Sequence, residues 1–296
     1  MKIQYFNGGL ANQVFQYIFY RYAQLSCGEK DIWLLDDSFF FFKEEHNGYE
    51  LEKVFGLKPN LLSRQFAPDA WKVFVDNRKN RIGTAQTMLN MGFDVQMIAE
   101  AANYKTDNPF HGTVHQIPCN EYHPEILQFP GEIVYYFGYW INKSWFAAYR
   151  EQFLSELSFP PILDEKNLRY ASKIKSSLSV GVHIRRGDFI RLGWNIDTKI
   201  YHNYAKLLTD SYPELTFFVF SDDISWCRDN MEQLGLSLAH ETVFVEGNID
   251  GSNYIDLQLM TMCKGLLMSN SSFSYLAALL NTNLQFYINP VPSRKI

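Results

Sequence analysis

The sequence predicts an α/β fold built on doubly wound parallel sheet. Three observations carry that prediction. Short apolar runs alternate with helical patterns from Glu165 to Ile288. The chain opens with a strand, a Gly-Gly turn, a helix and a second strand. Three strands of the second half end in polar clusters, and parallel sheets gather such ends on one edge. At 296 residues there is room for two domains of ordinary size. The helix stop at Phe159-Pro160-Pro161 divides the chain into 1–160 and 161–296.

The elements follow in order. Lys2–Phe6 reads as a strand and Asn7–Gln13 as the turn after it. A helix over Asn12–Ser26 has apolar residues recurring at Val14, Phe15, Ile18, Phe19, Tyr22, Ala23 and Leu25. Ile32–Asp36 is the second strand. From Phe39 to Gln128 the pattern is weak, with short helical stretches at Gln86–Leu89 and Val95–Ala102. Gly131–Trp140 reads as a strand with an aromatic turn, and Trp145–Leu157 as a helix. In the second half, helices are predicted over Glu165–Ser176, Ile200–Tyr212, Ile224–Leu234, Asn253–Cys263 and from Ser271 to Leu280. Strands are predicted over Val180–Ile184, Leu215–Ser221, Thr242–Val245, Lys264–Asn270 and Gln285–Ile288.

Composition removes several classes of function. A net charge of −5 supplies no overall basic field, which counts against nucleic acid as a partner. Cys27, Cys119, Cys227 and Cys263 show no metal-like spacing and read as reduced thiols of a cytosolic protein. No apolar run approaches the roughly 18 residues a membrane span requires, and Ser38–Phe42 is far too short. The amino terminus enters a strand without a signal peptide, so an intracellular, soluble chain is expected. His111 and His115 have helical spacing but no acidic ligand in register, so no metal is expected there.

The organising stretch is Ser179–Phe189. Val180, Val182 and Ile184 share one strand face, while Gly181, His183 and Arg185 share the other. A buried Arg requires an anion. Two arginines at the carboxyl end of a strand suit a diphosphate, because guanidinium forks match phosphate oxygens. A structural pair, with Asp188 neutralising Arg186, fits the same residues. Asp222 and Asp223 suit the donor edge of a nucleobase, or else a helix cap. Ser269, Asn270, Ser271 and Ser272 could receive a phosphate at a helix start, or simply cap it. Gly8 and Gly9 allow close approach to a helix amino terminus, although a lone Gly-Gly pair favours a ligand-free turn.

His183-Ile184-Arg185-Arg186-Gly187-Asp188 resembles the H-x-R-R-x-D motif of α-1,2-fucosyltransferases. Gly8-Gly9-Leu10-Ala11-Asn12-Gln13-Val14-Phe15-Gln16-Tyr17 resembles the amino-terminal signature of their bacterial members, and Asn270–Ala278 resembles their carboxyl-terminal motif. The departures are Ala11, where the family has Gly, and Tyr275-Leu276, where it has paired tryptophans. The resemblance implies a GT-B fold, two Rossmann-like halves with the active site in the cleft. It implies an inverting, metal-independent transfer of L-fucose from GDP-β-L-fucose to the 2-hydroxyl of a galactose-terminated glycan. GDP-fucose is then a co-substrate, and no cofactor is needed. The carboxyl-terminal half would bind the donor through His183, Arg185, Arg186, Asp222, Asp223, Asn270, Ser271, Ser272 and Phe273. The amino-terminal half would hold the acceptor, with Gly8, Gly9, Asn12 and Gln13 on the acceptor or fucose side. Arg185, Asp188 and Asn12 carry the catalytic expectation, and Asp188 and Asp197 are the candidate bases. Surface-glycan assembly in a bacterium, in the cytoplasm or peripheral to the inner membrane, is the implied setting.

Other readings stand beside it. A fucosyltransferase of another linkage or acceptor, protein O-fucosylation included, shares the central motif. A non-catalytic GDP-sugar-binding protein would share the scaffold. The fold pattern alone would also suit a dinucleotide oxidoreductase, but no G-x-G-x-x-G follows a strand.

Overall fold

The computed structural model describes residues 1–28, 31–42, 47–101 and 109–291. It divides into two compact units, Met1–Ser158 and Phe159–Ile296. Each holds a five-stranded sheet in which every neighbouring pair is parallel. No helix among the described residues is long and apolar enough to cross a membrane.

The first unit contains β1 (Lys2–Tyr5), β2 (Trp33–Asp36), β3 (Val95–Glu100), β4 (Thr113–Ile117) and β5 (Ile133–Phe137), in the order β2-β1-β5-β3-β4. Alternate residues of β5 face opposite ways. Tyr135 joins a core with Trp71 and Phe74 of α4 (Pro68–Lys79) and Ala85 and Met88 of α5 (Thr84–Asn90). On the other face Tyr136 meets Trp33 and Phe19, the latter from α1 (Leu10–Cys27). Two short helices, α2 (Phe39–Phe42) and α3 (Leu51–Phe55), lie between β2 and α4. Burial of each large aromatic contributes roughly 1.5–3 kcal/mol.

Two predictions for this unit fail, and one strand is unforeseen. The stretch expected to be helical from Val95 is the strand β3, and Ala102, its expected end, lies outside the described residues. This strand sits between β5 and β4, and five of its six residues are buried. A strand covered on both faces loses its polar-apolar alternation. Strand β4 is unforeseen because it is a polar edge strand with little buried surface. The helix expected over Trp145–Leu157 is two, α6 (Lys143–Ala147) and α7 (Arg150–Glu156). Tyr149 leaves helical backbone between them, at φ −133° and ψ 42°.

Glu100, the last residue of β3, is fully buried. Its carboxylate accepts backbone N–H bonds from Asn120 (2.7 Å), Tyr139 (2.7 Å) and Trp140 (3.1 Å). It thereby ties the segments after β4 and β5 to the end of β3.

The second unit runs α8 (Glu165–Ser176), β6 (Leu178–Ile184), α9 (Gly187–Leu192), α10 (Thr198–Ser211), β7 (Leu215–Ser221), α11 (Ile224–Asp229), β8 (Glu241–Phe244), α12 (Tyr254–Met260), β9 (Gly265–Leu267), α13 (Ser272–Leu280) and β10 (Phe286–Ile288). Its strand order, β8-β7-β6-β9-β10, is the Rossmann order. The first unit's order is not, so only one half has Rossmann topology. Val180, Val182 and Ile184 pack against Tyr201, Ala205 and Leu208 of α10. Helix α9, directly after the arginines, is unforeseen. Helix α11 stops at Asp229 rather than Leu234, and β9 covers three residues rather than seven.

Candidate active site

Chain direction across the second sheet changes between β6 and β9, since β7 and β8 lie to one side of β6 and β9 and β10 to the other. Open α/β sheets bind ligands outside the strand ends at such a switch point. Register decides what gathers there. Ile184 is paired with Ser221, so the residues that follow, Arg185-Arg186 and Asp222-Asp223, emerge side by side.

Arg185 is gripped from two sides. Its Nε and Nη2 donate to Asp188 Oδ1 at 3.1 and 2.8 Å, and its Nη1 lies 3.1 Å from Asp222 Oδ2. The Arg186 backbone N–H donates to Asp222 Oδ1 at 2.9 Å, and its Nε donates to Asp223 Oδ2 at 3.1 Å. The expected Arg186–Asp188 pair is therefore not formed. Asp188 lies in the first turn of α9, three residues beyond Arg185, and its Oδ1 takes both of that arginine's hydrogen bonds. Gly187 is required by this geometry, because a Cβ there would stand 2.6 Å from Asp222 Oδ2. The Arg186 guanidinium carbon lies 3.3 Å from the centre of the Trp226 ring. Trp226 is absent from the sequence reading, although its place three residues after Asp223 is the available signal. Asp223 also caps α11, accepting the Trp226 N–H at 3.2 Å, so its capping reading holds.

His183 lies on the face of β6 opposite Val182 and Ile184 and is 5% exposed. A hydrogen bond joins its Nδ1 to Ser269 Oγ at 2.8 Å, and its ring lies 5.5 Å from that of Phe273. Burial, with Arg185 adding to it, pushes its pKa down to about 3, so the imidazole is neutral near pH 7. Tyr201 donates its hydroxyl to the His183 carbonyl at 3.0 Å. Ser271 caps α13 by accepting the Phe273 N–H at 3.3 Å. Asn270 donates to the Trp194 carbonyl at 2.7 Å. Ser272 is the first residue of α13. Asp197 accepts the Lys199 N–H at 2.8 Å and caps α10.

The amino-terminal candidates belong to the first unit. Gly8 has φ +80°, and a Cβ on it would meet Asn12 Nδ2 at 2.9 Å. Gly9 is the residue before α1, and Asn12, in that helix's first turn, is partly exposed. Gln13 faces the interior of the unit. It is fully buried, donates to the carbonyls of Gly8 and Gly48 at 2.8 Å each, and accepts the Glu50 N–H at 2.9 Å. Gln16 and Asn7 are doubly bonded to each other, at 2.9 and 2.7 Å. The two glutamines of this segment thus fix the Gly-Gly turn. Among the described residues no cluster could hold a metal ion.

The chain is 35% identical over 169 residues to an α-1,2-colitosyltransferase from Escherichia coli, covering 54% of this chain and 56% of that one. It is 26% identical over 194 residues to galactoside α-(1,2)-fucosyltransferase 2 of Gorilla gorilla gorilla, covering 60% and 55%. The matches thus span little more than half the length of these relatives. The crystal structure of NodZ α-1,6-fucosyltransferase soaked with GDP-fucose superimposes with a TM-score of 0.49 at 13% identity, covering 94% of this chain and 91% of that chain, too distant a likeness to bear on chemistry. The family model for glycosyl transferase family 11 matches residues 87–293, a span that includes both arginines, both aspartates and the Ser269–Phe273 segment. The chain belongs to glycosyl transferase family 11.

Proposed function

We propose that this protein is an inverting glycosyltransferase that moves L-fucose from GDP-β-L-fucose to the 2-hydroxyl of a galactose in a glycan. The observation that carries the reading is the pair Arg185 and Arg186 at the switch point of the second sheet, beside the capped start of α13. The α-1,2 linkage in the names of both curated relatives supports the position of attack.

In this mechanism Arg185 exchanges its carboxylate partners for the β-phosphate oxygens, and the backbone N–H groups of α13 take the other phosphate. Two guanidinium charges stabilise the departing GDP, so no metal is required. Neutral His183 contacts the nucleotide by hydrogen bonding rather than by charge, and Asp222 or Asp223 receives the guanine edge. The bond between the anomeric carbon and the phosphate oxygen breaks through an oxocarbenium-like state. The acceptor 2-hydroxyl attacks the opposite face and its proton passes to a carboxylate, Asp188 or Asp197. Asn12 orients the acceptor. The reading includes the two-half GT-B arrangement, with the acceptor on the first unit.

Incubating the full chain with GDP-fucose, N-acetyllactosamine and EDTA tests it, with product linkage read by NMR. The expected result is fucose on the galactose 2-hydroxyl at an EDTA-independent rate. Absence of both GDP release and a GDP-dependent thermal shift would overturn the reading. Colitose as the transferred sugar is the second reading, motivated by the 35% match. It differs from fucose in lacking the 3-hydroxyl, and a parallel reaction with GDP-colitose separates the two.

A further inference from the structure

Helix α9 contains no buried residue, although Phe189, Ile190 and Leu192 belong to it. Trp194, two residues beyond its end, is 42% exposed, the most accessible of the six tryptophans. Apolar side chains left in water beside a charged cluster mark a surface that something covers. Asp188 has a role in the proposed transfer, but these aromatic residues have none.

Both rings are held in place. The centre of the Phe189 ring lies 5.6 Å from the Arg185 guanidinium carbon, and Trp194 meets Phe189 edge-on at 5.7 Å. The Trp194 N–H donates to the Phe189 carbonyl at 2.8 Å, and the Trp194 carbonyl accepts from Asn270 at 2.7 Å. Asn270 immediately precedes Ser271, the cap of α13. Gly193, at φ +66°, makes the turn that brings Trp194 back onto Phe189. Trp194 is thus tied to Arg185 through Phe189 and to the start of α13 through Asn270, the two places assigned to the phosphates. An aromatic side chain fixed by its backbone yet open to water is set to receive a ligand rather than to fill a core.

We propose that Trp194, with Phe189 behind it, is the specificity-determining platform for the donor sugar and reads the methyl group on its C6. The proposal rests on the transferase reading, in which Arg185 holds the β-phosphate. The sugar is bonded directly to that phosphate, which brings its ring to the aromatic pair beside Arg185. L-Fucose carries a methyl group where L-galactose carries a hydroxymethyl group, and colitose shares that methyl. Apolar contact favours the methyl. Covering the extra hydroxyl would strip it of water, and an aromatic face offers it no equivalent hydrogen bond.

Calorimetric binding of GDP-β-L-fucose, GDP-β-L-galactose and GDP to the full chain tests the assignment. Wild type should bind the fucose form roughly tenfold more tightly than the galactose form, the effect of one covered hydroxyl. Trp194→Ala should lose that preference while its affinity for GDP, which carries no sugar, stays close to wild type. Trp194→Phe should keep part of the preference, and thermal unfolding should show both variants folded, since the side chain is exposed. Acrylamide quenching gives a readout without any variant: GDP-fucose should shield tryptophan fluorescence more than GDP does. An unchanged preference in Trp194→Ala, an equal loss of GDP affinity, or shielding by N-acetyllactosamine instead of the donor would overturn the proposal. A chain that binds none of the three nucleotides would overturn the transferase reading with it. One that binds GDP, with a preference independent of Trp194, would overturn this assignment alone.

Discussion

Arg185 is 29% exposed at its side chain, as Asp188 and Asp222 are at 36% and 25%. Ion pairs this accessible to water contribute about 0–1 kcal/mol each. Exchange of these carboxylates for a diphosphate is therefore inexpensive, and removal of the arginine should leave the fold intact. Arg185→Ala is expected to lower kcat/KM by about 10²–10³-fold or more, the scale of a lost transition-state donor, with the unfolding temperature nearly unchanged. Arg185→Lys should fall between, since it keeps the charge and loses the fork. Turnover close to wild type in Arg185→Ala would remove the phosphate role. His183 gives a prediction in pH. Its folded pKa of about 3 lies below the ordinary value of 6.5, so between these limits the unfolded chain binds the extra proton. This contribution to stability is complete above pH 6.5 and is lost as pH falls toward 3, at about 1.4 kcal/mol per pH unit. His183→Gln should flatten that slope in thermal unfolding measured between pH 6.5 and 4. The motif residues were readable one at a time, but their partners were not. Whether Asp188 meets Arg185 or Arg186 depends on the strand register, which sets Ile184 against Ser221, and on the unforeseen first turn of α9.

Elements of the second unit were readable because Leu215–Ser221 and its neighbours are apolar runs bounded by clear breaks. Helices α8 and α10 also carry aspartate caps at Asp164 and Asp197. Strand β3 was not, because its sheet position buries both faces and removes the two-residue period. The buried hydrogen bonds of Arg78 with Tyr5 and of Tyr135 with Asp36 join four separate segments, and no local pattern announces that they meet. Between α8 and α12 a polar link shows how elements are tied. Asn167 and Asn248 exchange hydrogen bonds at 2.8 and 3.0 Å, and Asn248 donates to Asp256 at 2.6 Å. Burial pushes the Asp256 carboxyl up to about 7, against the opposing effects of Asn248 and Lys166. A raised folded pKa means that stability falls as pH rises from 3.8 toward 7. Asp256→Asn keeps an acceptor for Asn248 and removes the charge. It should match wild type at pH 4 and be the more stable at pH 8, by several degrees in Tm. A lower Tm at pH 8 would count against this account.

For the molecule as a whole, the division at Ser158 and Phe159 leaves each unit with its own sheet and its own core. A fragment from Phe159 to Ile296 is expected to show helical circular dichroism, unfold cooperatively, and be stabilised by GDP. It should catalyse no transfer, because Asn12 and the Gly8-Gly9 turn lie in the other unit. A fragment that folds without responding to GDP would move the nucleotide site elsewhere. The Glu100 carboxylate has a further consequence, for motion. Its three N–H partners are 20, 39 and 40 residues away in sequence, yet they share one buried acceptor group. None can be released to solvent without disturbing the same pair of oxygens. Hydrogen exchange at Asn120, Tyr139 and Trp140 should then proceed at one common rate, set by a single opening of that end of the sheet.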